Sequence, residues 1–143
     1  MDSALYNRDI LRLASSLVAG ERLENPDGVA ESRSPVCGSR IHAEIAMAGD
    51  GTIAAVALRA NACALGQASA AIVRAHAAGS DLQSIAEIRD AVEQALKQSA
   101  EMPTKWPELA LLARARDYPS RHAAILLPYD ALLAAAAQMK LAS

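Results

Sequence analysis

The sequence predicts an α+β domain in which a three-stranded antiparallel sheet is packed against helices. Three observations support this fold class: an opening segment with helical spacing, alternating apolar segments joined by short turns, and later segments that again have helical spacing. The 143 residues are 52% hydrophobic, enough to bury one core, so we expect residues 1–143 to form a single domain. With one Trp and no Phe, that core must be built from aliphatic side chains.

The first half of the chain predicts one helix and three strands. An apolar stripe indicates a helix over residues 3–19, and an Asn-Pro-Asp-Gly turn at 25–28 precedes a short edge strand predicted for 28–33. Apolar and polar residues alternate over 40–47, which is typical of a half-buried strand. A Gly-Asp-Gly turn then leads into a return strand over 53–60.

The second half predicts helices. Helical spacing indicates a helix over 63–77, another after a polar cap at position 80 or 81, a short one that begins near Pro107, and a last one over 122–139. Pro128 should kink that last helix or mark a later start. The same spacing predicts six buried core residues, which are Val56, Leu58, Ile72, Ile85, Val92 and Leu132.

Composition and charge exclude several function classes. The net charge of −2, with both signs interspersed, gives no basic field for nucleic acid, and no apolar run approaches the roughly 18–20 residues of a membrane span. The opening Met-Asp-Ser lacks a signal peptide's charged and apolar regions, and two cysteines are not a disulfide framework, so we expect a reducing cytoplasm. No Ser/His/Asp grouping, paired acidic motif or phosphate loop is visible, so we predict that the chain is not an enzyme.

Cys63 is the most chemically suggestive residue of the sequence. It falls where the third predicted strand is followed by a helix. Unpaired backbone N–H groups and the positive end of the helix dipole favour an anion at that point, and a thiolate can ligate metal or attack sulfur. The competing interpretation is that Cys63 is simply a small buried hydrophobic residue.

Three motifs in order along the chain carry a family resemblance. Pro35-Val36-Cys37-Gly38 is a cysteine turn followed by a strand, Cys63 opens a helix rich in Ala and Ser, and Tyr-Pro-Ser-Arg at 118–121 precedes two leucines. In this order and on these elements, they resemble the U-type iron–sulfur cluster assembly scaffolds, the IscU, SufU and NifU N-terminal family. The likeness extends from Leu5 to Leu133.

The resemblance also implies that two of the usual metal-ligand positions are replaced. The family usually has an aspartate two residues after its first cysteine, and a third cysteine in the last segment; Ser39 and Ala124 stand at these positions. Cys37 and Cys63 remain as metal ligands, whereas a [2Fe–2S] cluster or a structural Zn²⁺ normally has four. The resemblance therefore implies an iron–sulfur cluster or zinc that is weakly held or absent.

Other residues near these positions are further candidates. His122 could supply a third ligand only if the first turn of the last helix shifts, and Ser39 is a poor ligand when neutral. His42 is another candidate, although the strand alternation puts it on the polar face, where a histidine is more often solvated. Arg121 could meet an acidic partner surface, or it could be only solubilising.

The function that the resemblance implies is a cluster assembly scaffold, intact or degenerate. Such a protein accepts sulfur as a persulfide on Cys63 or Cys37 from a cysteine desulfurase, gathers iron and passes the cluster on. One alternative is a sulfur-relay protein in which Cys63 alone shuttles persulfide, and another is a metal-free regulatory module of the assembly machinery. The expected partners are a cysteine desulfurase and cluster-assembly proteins, and the chain itself is expected to be a monomer or weak homo-oligomer.

Overall fold

A computed structural model describes residues 7–35, 38–98 and 100–142 of the chain. Within these residues a three-stranded antiparallel sheet is packed against helices, which confirms the predicted α+β fold class. Cys37 and the first residues of the predicted opening helix lie outside the described residues. No helix of the described part is long and apolar enough to cross a membrane.

The sheet has the strand order β1–β2–β3, and the strand bounds agree closely with the sequence pattern. β1 is Gly28–Arg33, β2 is Arg40–Met47 and β3 is Ile53–Asn61. The register places Leu58 opposite Ala43, so the apolar side chains of β2 and β3 lie on the same face. That face is the one covered by helices.

The described ranges contain the helices α1 (Arg8–Ser16), α2 (Ala64–His76), α3 (Leu82–Gln98) and α4 (His122–Ala142). α2 and α4 pack on the sheet and on each other, while α1 packs on α2 and α3 packs on α4. The cap of α3 is Asp81, because its Oδ1 accepts the backbone N–H of Ser84 at 2.8 Å. The sheet thus forms one layer and the helices form the other.

The core lies between these two layers. All six core residues predicted from the spacing are buried: Val56, Leu58, Ile72, Ile85, Val92 and Leu132. The first helix is shorter than predicted at its carboxyl end, because α1 stops at Ser16 and Val18 is exposed. The apolar stripe of that segment therefore contributes Ile10 and Ala14 as its buried residues.

The segment before α4 differs from the prediction of a short α-helix followed by a turn. Pro107–Asp117 is a 3₁₀ helix, and a second 3₁₀ helix, Pro119–Arg121, follows it. A 3₁₀ helix has three residues per turn, so residues three apart lie on one side of it. The buried residues of the longer one have this spacing: Leu109, Leu112 and Ala115.

Pro128 lies inside α4 without delaying its start. A proline has no N–H to donate to the carbonyl four residues earlier, which here belongs to Ala124. The buried Ser69 of α2 donates its hydroxyl to the neighbouring carbonyl of Ile125 at 2.6 Å. This bond ties α2 to the turn that Pro128 interrupts. α4 begins at His122, as the spacing predicts. The alternative prediction, that Pro128 marks a later start of this helix, is wrong.

Three rings stack where α2, the longer 3₁₀ helix and α4 meet. The ring centroids of His76 and Trp106 are 5.2 Å apart with an interplanar angle of 12°, and those of Trp106 and Tyr129 are 6.2 Å apart with an angle of 13°. His76 Nε2 also lies 2.8 Å from Glu108 Oε1 at the start of the 3₁₀ helix. The stack fixes that helix against the core.

Candidate functional site

Cys63 occupies the junction between β3 and α2, as the sequence predicts. It is the N-cap residue of α2, with an extended backbone (φ −66°, ψ 170°), and its side chain makes no capping hydrogen bond. The thiol is partly exposed, and the Cys63 carbonyl accepts the N–H of Gln67 at 2.9 Å. The helix start therefore presents both a sulfur and unpaired backbone N–H groups.

The turn between β1 and β2 is closed by two backbone hydrogen bonds. The N–H of Ser34 donates to the Ser39 carbonyl at 2.9 Å, and the N–H of Gly38 donates to the Ser34 carbonyl at 2.8 Å. Gly38 has φ +72°, a conformation that favours glycine, and apart from its chain neighbours no atom of the described residues lies within 4 Å of where its Cβ would be. Backbone strain, and not lack of space, explains a glycine here.

A small hollow lies between this turn and the start of α2. Its volume is about 200 Å³, and the residues that line it are Gly38, Ser39, Asn61, Ala62, Cys63 and Arg121. The structure thus brings together three of the candidate site residues, Ser39, Cys63 and Arg121. Asn61, the last residue of β3, was missed by the sequence reasoning, although its position two residues before Cys63 was a usable signal.

Ala124 lies beside this hollow and is not among the residues that line it. It is fully buried in α4 and packs against Gly66, where an added Cβ would come within 3.5 Å of the Ala124 Cβ. Gly66 is one helical turn along α2 from Cys63. The position of the family's third cysteine is therefore close to the start of α2.

The two candidate histidines are held by other groups. His122 is buried, and its Nε2 lies 2.8 Å from the carbonyl oxygen of Ala115 in the longer 3₁₀ helix. His42 lies on the sheet face opposite the core, with its Nε2 3.0 Å from Glu44 Oε2. Neither histidine lines the hollow, and a ligand bond from either Nε2 would require one of these contacts to break.

Glu44 has a buried carboxylate that contacts several groups on this outer face of the sheet. The sequence pattern did not predict its burial. Its Oε1 accepts the N–H of Leu23 at 2.8 Å, and its Oε2 lies 3.4 Å from Arg59 Nη1. Burial acts to raise the pKa of Glu44, but the hydrogen bonds from Leu23 and His42 and the charges of His42 and Arg59 outweigh it. The pKa is held below its ordinary value.

Replacing Glu44 with Gln is expected to destabilise the protein in a pH-dependent way. A carboxylate with a lowered pKa contributes stability above its unfolded value, near pH 4.3, and loses it as the pH falls further. We expect Glu44→Gln to lower the free energy of unfolding by about 1–3 kcal/mol at pH 7, and by less towards pH 3. Urea unfolding followed by circular dichroism, repeated from pH 7 to pH 3, measures both values.

Glu31→Gln is the matched control for this variant. Glu31 lies on the neighbouring strand, with an exposed side chain that pairs with the exposed Arg33 at 3.3 Å. Its loss should change the free energy of unfolding by less than about 0.5 kcal/mol. A difference between wild type and Glu44→Gln that stays constant over the whole pH range would contradict the proposed role of the Glu44 charge.

The described residues contain no group of three or more His, Cys, Asp or Glu side chains placed to hold a metal ion. Cys37 is not among those residues, so its approach to Cys63 stays a prediction. The hollow does combine a nucleophilic sulfur, on Cys63, with the positive charge of Arg121. This combination suits an anionic sulfur group bound at the start of α2.

The fold and the hollow define an α+β domain with a cysteine site where a strand joins a helix. The family model of the NifU-like N terminal domain matches residues 9–124, so the chain belongs to the NifU-like N-terminal domain family. This confirms the resemblance to the U-type scaffolds. The search of curated proteins gave no match.

Solved structures with the same fold include close matches over nearly the whole chain. The N-terminal NifU-like protein from Brucella abortus is 31% identical, with a TM-score of 0.90, and the match covers 99% of this chain and 98% of that one. A putative iron–sulfur cluster assembly scaffold protein for the SUF system, from Fervidobacterium islandicum AW-1, is 21% identical, with a TM-score of 0.83 and coverage of 94% and 98%. The second likeness shows the fold.

Proposed function

We propose that this chain is a scaffold in iron–sulfur cluster assembly whose ligand set is incomplete. Membership of the NifU-like family supports the scaffold role. The observation that carries the incomplete ligand set is the composition of the site. Ser39 lines the hollow with Cys63, and the buried Ala124 of α4 packs against Gly66, which is one helical turn from Cys63. These are the positions where the U-type scaffolds usually have an aspartate and a third cysteine.

The cargo of such a scaffold would be held by few strong ligands. A [2Fe–2S] cluster normally has four ligands, mostly thiolates, and Zn²⁺ likewise takes four from Cys, His and carboxylate. Cys37 and Cys63 supply two thiols, whereas the Ser39 hydroxyl is a poor ligand and the Ala124 methyl is none. We therefore expect iron or zinc to be bound weakly, and a cluster to be held only until another assembly protein takes it.

Sulfur transfer needs only one of these thiols. The thiolate of Cys63 attacks the terminal sulfur of a persulfide on the donor, a new S–S bond forms on Cys63, and the donor thiolate leaves. No net oxidation occurs, because the donor regains the thiolate that it had before it was loaded. The charge of Arg121 and the start of α2 would stabilise the anionic groups in this exchange.

A persulfide relay through Cys63 alone is therefore the second candidate function. It is favoured by the partly exposed thiol of Cys63 in a hollow that also contains Arg121. In both functions the sulfur donor would be a cysteine desulfurase. The two functions differ in whether iron is bound, so metal analysis separates them.

The scaffold proposal is tested by analysis of iron, zinc and labile sulfide in protein purified without oxygen. Wild type, Cys37→Ser and Cys63→Ser are compared after reconstitution with Fe²⁺ and sulfide. Under the scaffold proposal, wild type binds both in less than full amount and each single variant binds less. Wild-type protein that binds no iron here, but gains a persulfide on Cys63 from a cysteine desulfurase, supports the relay instead. A chain that does neither is inconsistent with both functions.

The sulfur transfer step is tested with a cysteine desulfurase and free cysteine, followed by mass spectrometry of the trapped persulfide. We expect persulfide on Cys63 in wild type and a slower gain in Arg121→Gln. Arg114→Gln is the matched control, because Arg114 is exposed and does not line the hollow. Equal rates in wild type and Arg121→Gln would rule out a role for that charge.

A further inference from the structure

A second and larger groove lies between α3 and the start of α4, with the end of β1 at one side. We call it the α3–α4 groove; its volume is about 630 Å³. Its floor contains three almost fully buried leucines, Leu96, Leu126 and Leu127. An aliphatic side chain that entered this groove would therefore leave water and contact apolar surface.

The rim of the groove is positively charged, although the chain as a whole has a net charge of −2. Its charged lining residues carry a net charge of +2, and they are Arg33, Arg89, Lys97, Arg116, Glu93 and Asp130. Both carboxylates are already bound by Arg89, whose Nε lies 3.0 Å from Asp130 Oδ1 and whose Nη1 lies 3.0 Å from Glu93 Oε1. The acidic groups of the rim are thus already hydrogen-bonded within the groove, and the lining keeps its net positive charge.

Two of the cations retain donors for a ligand. The side chain of Lys97 is 54% exposed and that of Arg33 is 66% exposed, and each has one exposed or half-exposed acidic neighbour, Glu93 or Glu31. An ammonium has three N–H donors and a guanidinium has five, so these single contacts leave most donors available. The two cations lie on different elements, α3 and β1, and both line the groove with the three leucines.

The groove also contains a buried hydroxyl that makes no hydrogen bond to the part of the chain that the structure describes. Ser34 is only 4% exposed and lines the groove, and its Oγ has no hydrogen-bond partner among the described residues. A buried polar atom is normally paired, so an acceptor on a bound ligand would satisfy it. Arg116 binds the carbonyls of Ala95 and Ala100, which fixes the end of α3, so this wall of the groove is formed in advance.

We propose that the α3–α4 groove binds an acidic, leucine-containing segment of a partner protein. A leucine side chain of that segment lies on the apolar floor, its flanking carboxylates meet Lys97 and Arg33, and an oxygen atom accepts the hydrogen bond of Ser34. Cations on two different elements, beside an apolar floor, suit an acidic chain with an apolar side chain better than one compact anion. This inference does not rest on the proposed scaffold function, because the leucines, the two cations and the hydroxyl that it uses are not proposed metal or sulfur ligands.

The test measures the binding of a fluorescein-labelled peptide, Ac-EDLLDE-NH₂, by fluorescence anisotropy at low ionic strength. Two control peptides are KKLLKK, in which the charge is reversed, and EDSSDE, in which the leucines are replaced. We expect each control to bind at least about tenfold more weakly than EDLLDE, and we expect the affinity of EDLLDE to fall as salt is raised. Equal binding of KKLLKK or EDSSDE would overturn the proposal.

Variants of the protein locate the binding. The pair Lys97→Glu with Arg33→Glu should weaken EDLLDE binding at least about tenfold. The pair Arg8→Glu with Arg12→Glu is the matched double charge reversal: both residues are exposed on α1 outside the groove, and their reversal should leave binding unchanged. An equal loss in that pair would overturn the proposal. Displacement of the peptide by citrate at equal concentration would make the groove a small-anion site. A change of sedimentation in the double variant would make it a contact between copies, and either result also overturns the proposal.

Discussion

A chain that carries both Ser39→Asp and Ala124→Cys is expected to bind one Zn²⁺ tightly. With Cys37 and Cys63 it would offer three thiolates and a carboxylate, a full tetrahedral set. Ala124 packs against Gly66, one helical turn from Cys63, and Gly66 has no side chain to compete for the space that the new sulfur needs. Zinc at 100 times its Kd should add about 2.7 kcal/mol to the free energy of unfolding, or roughly 10 °C in Tm.

Metal content after purification and calorimetry with and without Zn²⁺ measure this result. Wild type should contain little zinc and gain little stability from it. The matched control is Ser39→Asp with Ala124→Ser, which has the same shape at position 124 but no third thiolate. Equal zinc content in wild type and the double variant would contradict the prediction. If that shared content were full, His122 or His42 would be the next residue to mutate.

Leu58→Ala is expected to cause a large loss of stability. Leu58 is fully buried on β3, opposite Ala43 of β2, so its truncation removes apolar contacts and leaves a cavity. The expected cost is about 2–5 kcal/mol, a large part of the 5–15 kcal/mol that is typical of a whole domain. Urea unfolding followed by circular dichroism gives the value.

Leu11→Ala is the control with the same change of side chain. Leu11 is 50% exposed on α1, and alanine has a high helix propensity, so its effect should stay within about 0.5 kcal/mol. If Leu58→Ala unfolded at the same urea concentration as wild type, the side chain could not be in the core, and a slip of one residue in β3 would be the simplest explanation.

The strands could be predicted from the sequence because their signals are local. The alternation over β2 and the glycines of the following turn fix both ends of that strand, and the structure has the predicted bounds, Arg40–Met47. The position of Cys63 follows from the same logic, since the change from a period of two to a helical period occurs beside it. These signals need no knowledge of distant contacts.

Other features depend on tertiary packing, and the sequence did not show them. The burial of Glu44 results from the segment around Leu23, 21 positions away in the chain, which folds over a polar strand face. The 3₁₀ geometry of Pro107–Asp117 results from its docking on the core; its spacing of three was visible, but a helix of 11 residues is more often an α-helix. The approach of Cys37 to Cys63, which stays a prediction, would be a tertiary contact of the same kind.

The ring stack of His76, Trp106 and Tyr129 has a spectroscopic consequence. The sequence contains one Trp, so the indole emission of the protein comes from a single place, where α2, the longer 3₁₀ helix and α4 meet. Emission during unfolding follows the opening of that junction, while the amide absorption bands follow the loss of backbone order everywhere. Two curves that coincide would indicate all-or-none unfolding. An emission change that comes before the amide change would show that the 3₁₀ helix detaches first.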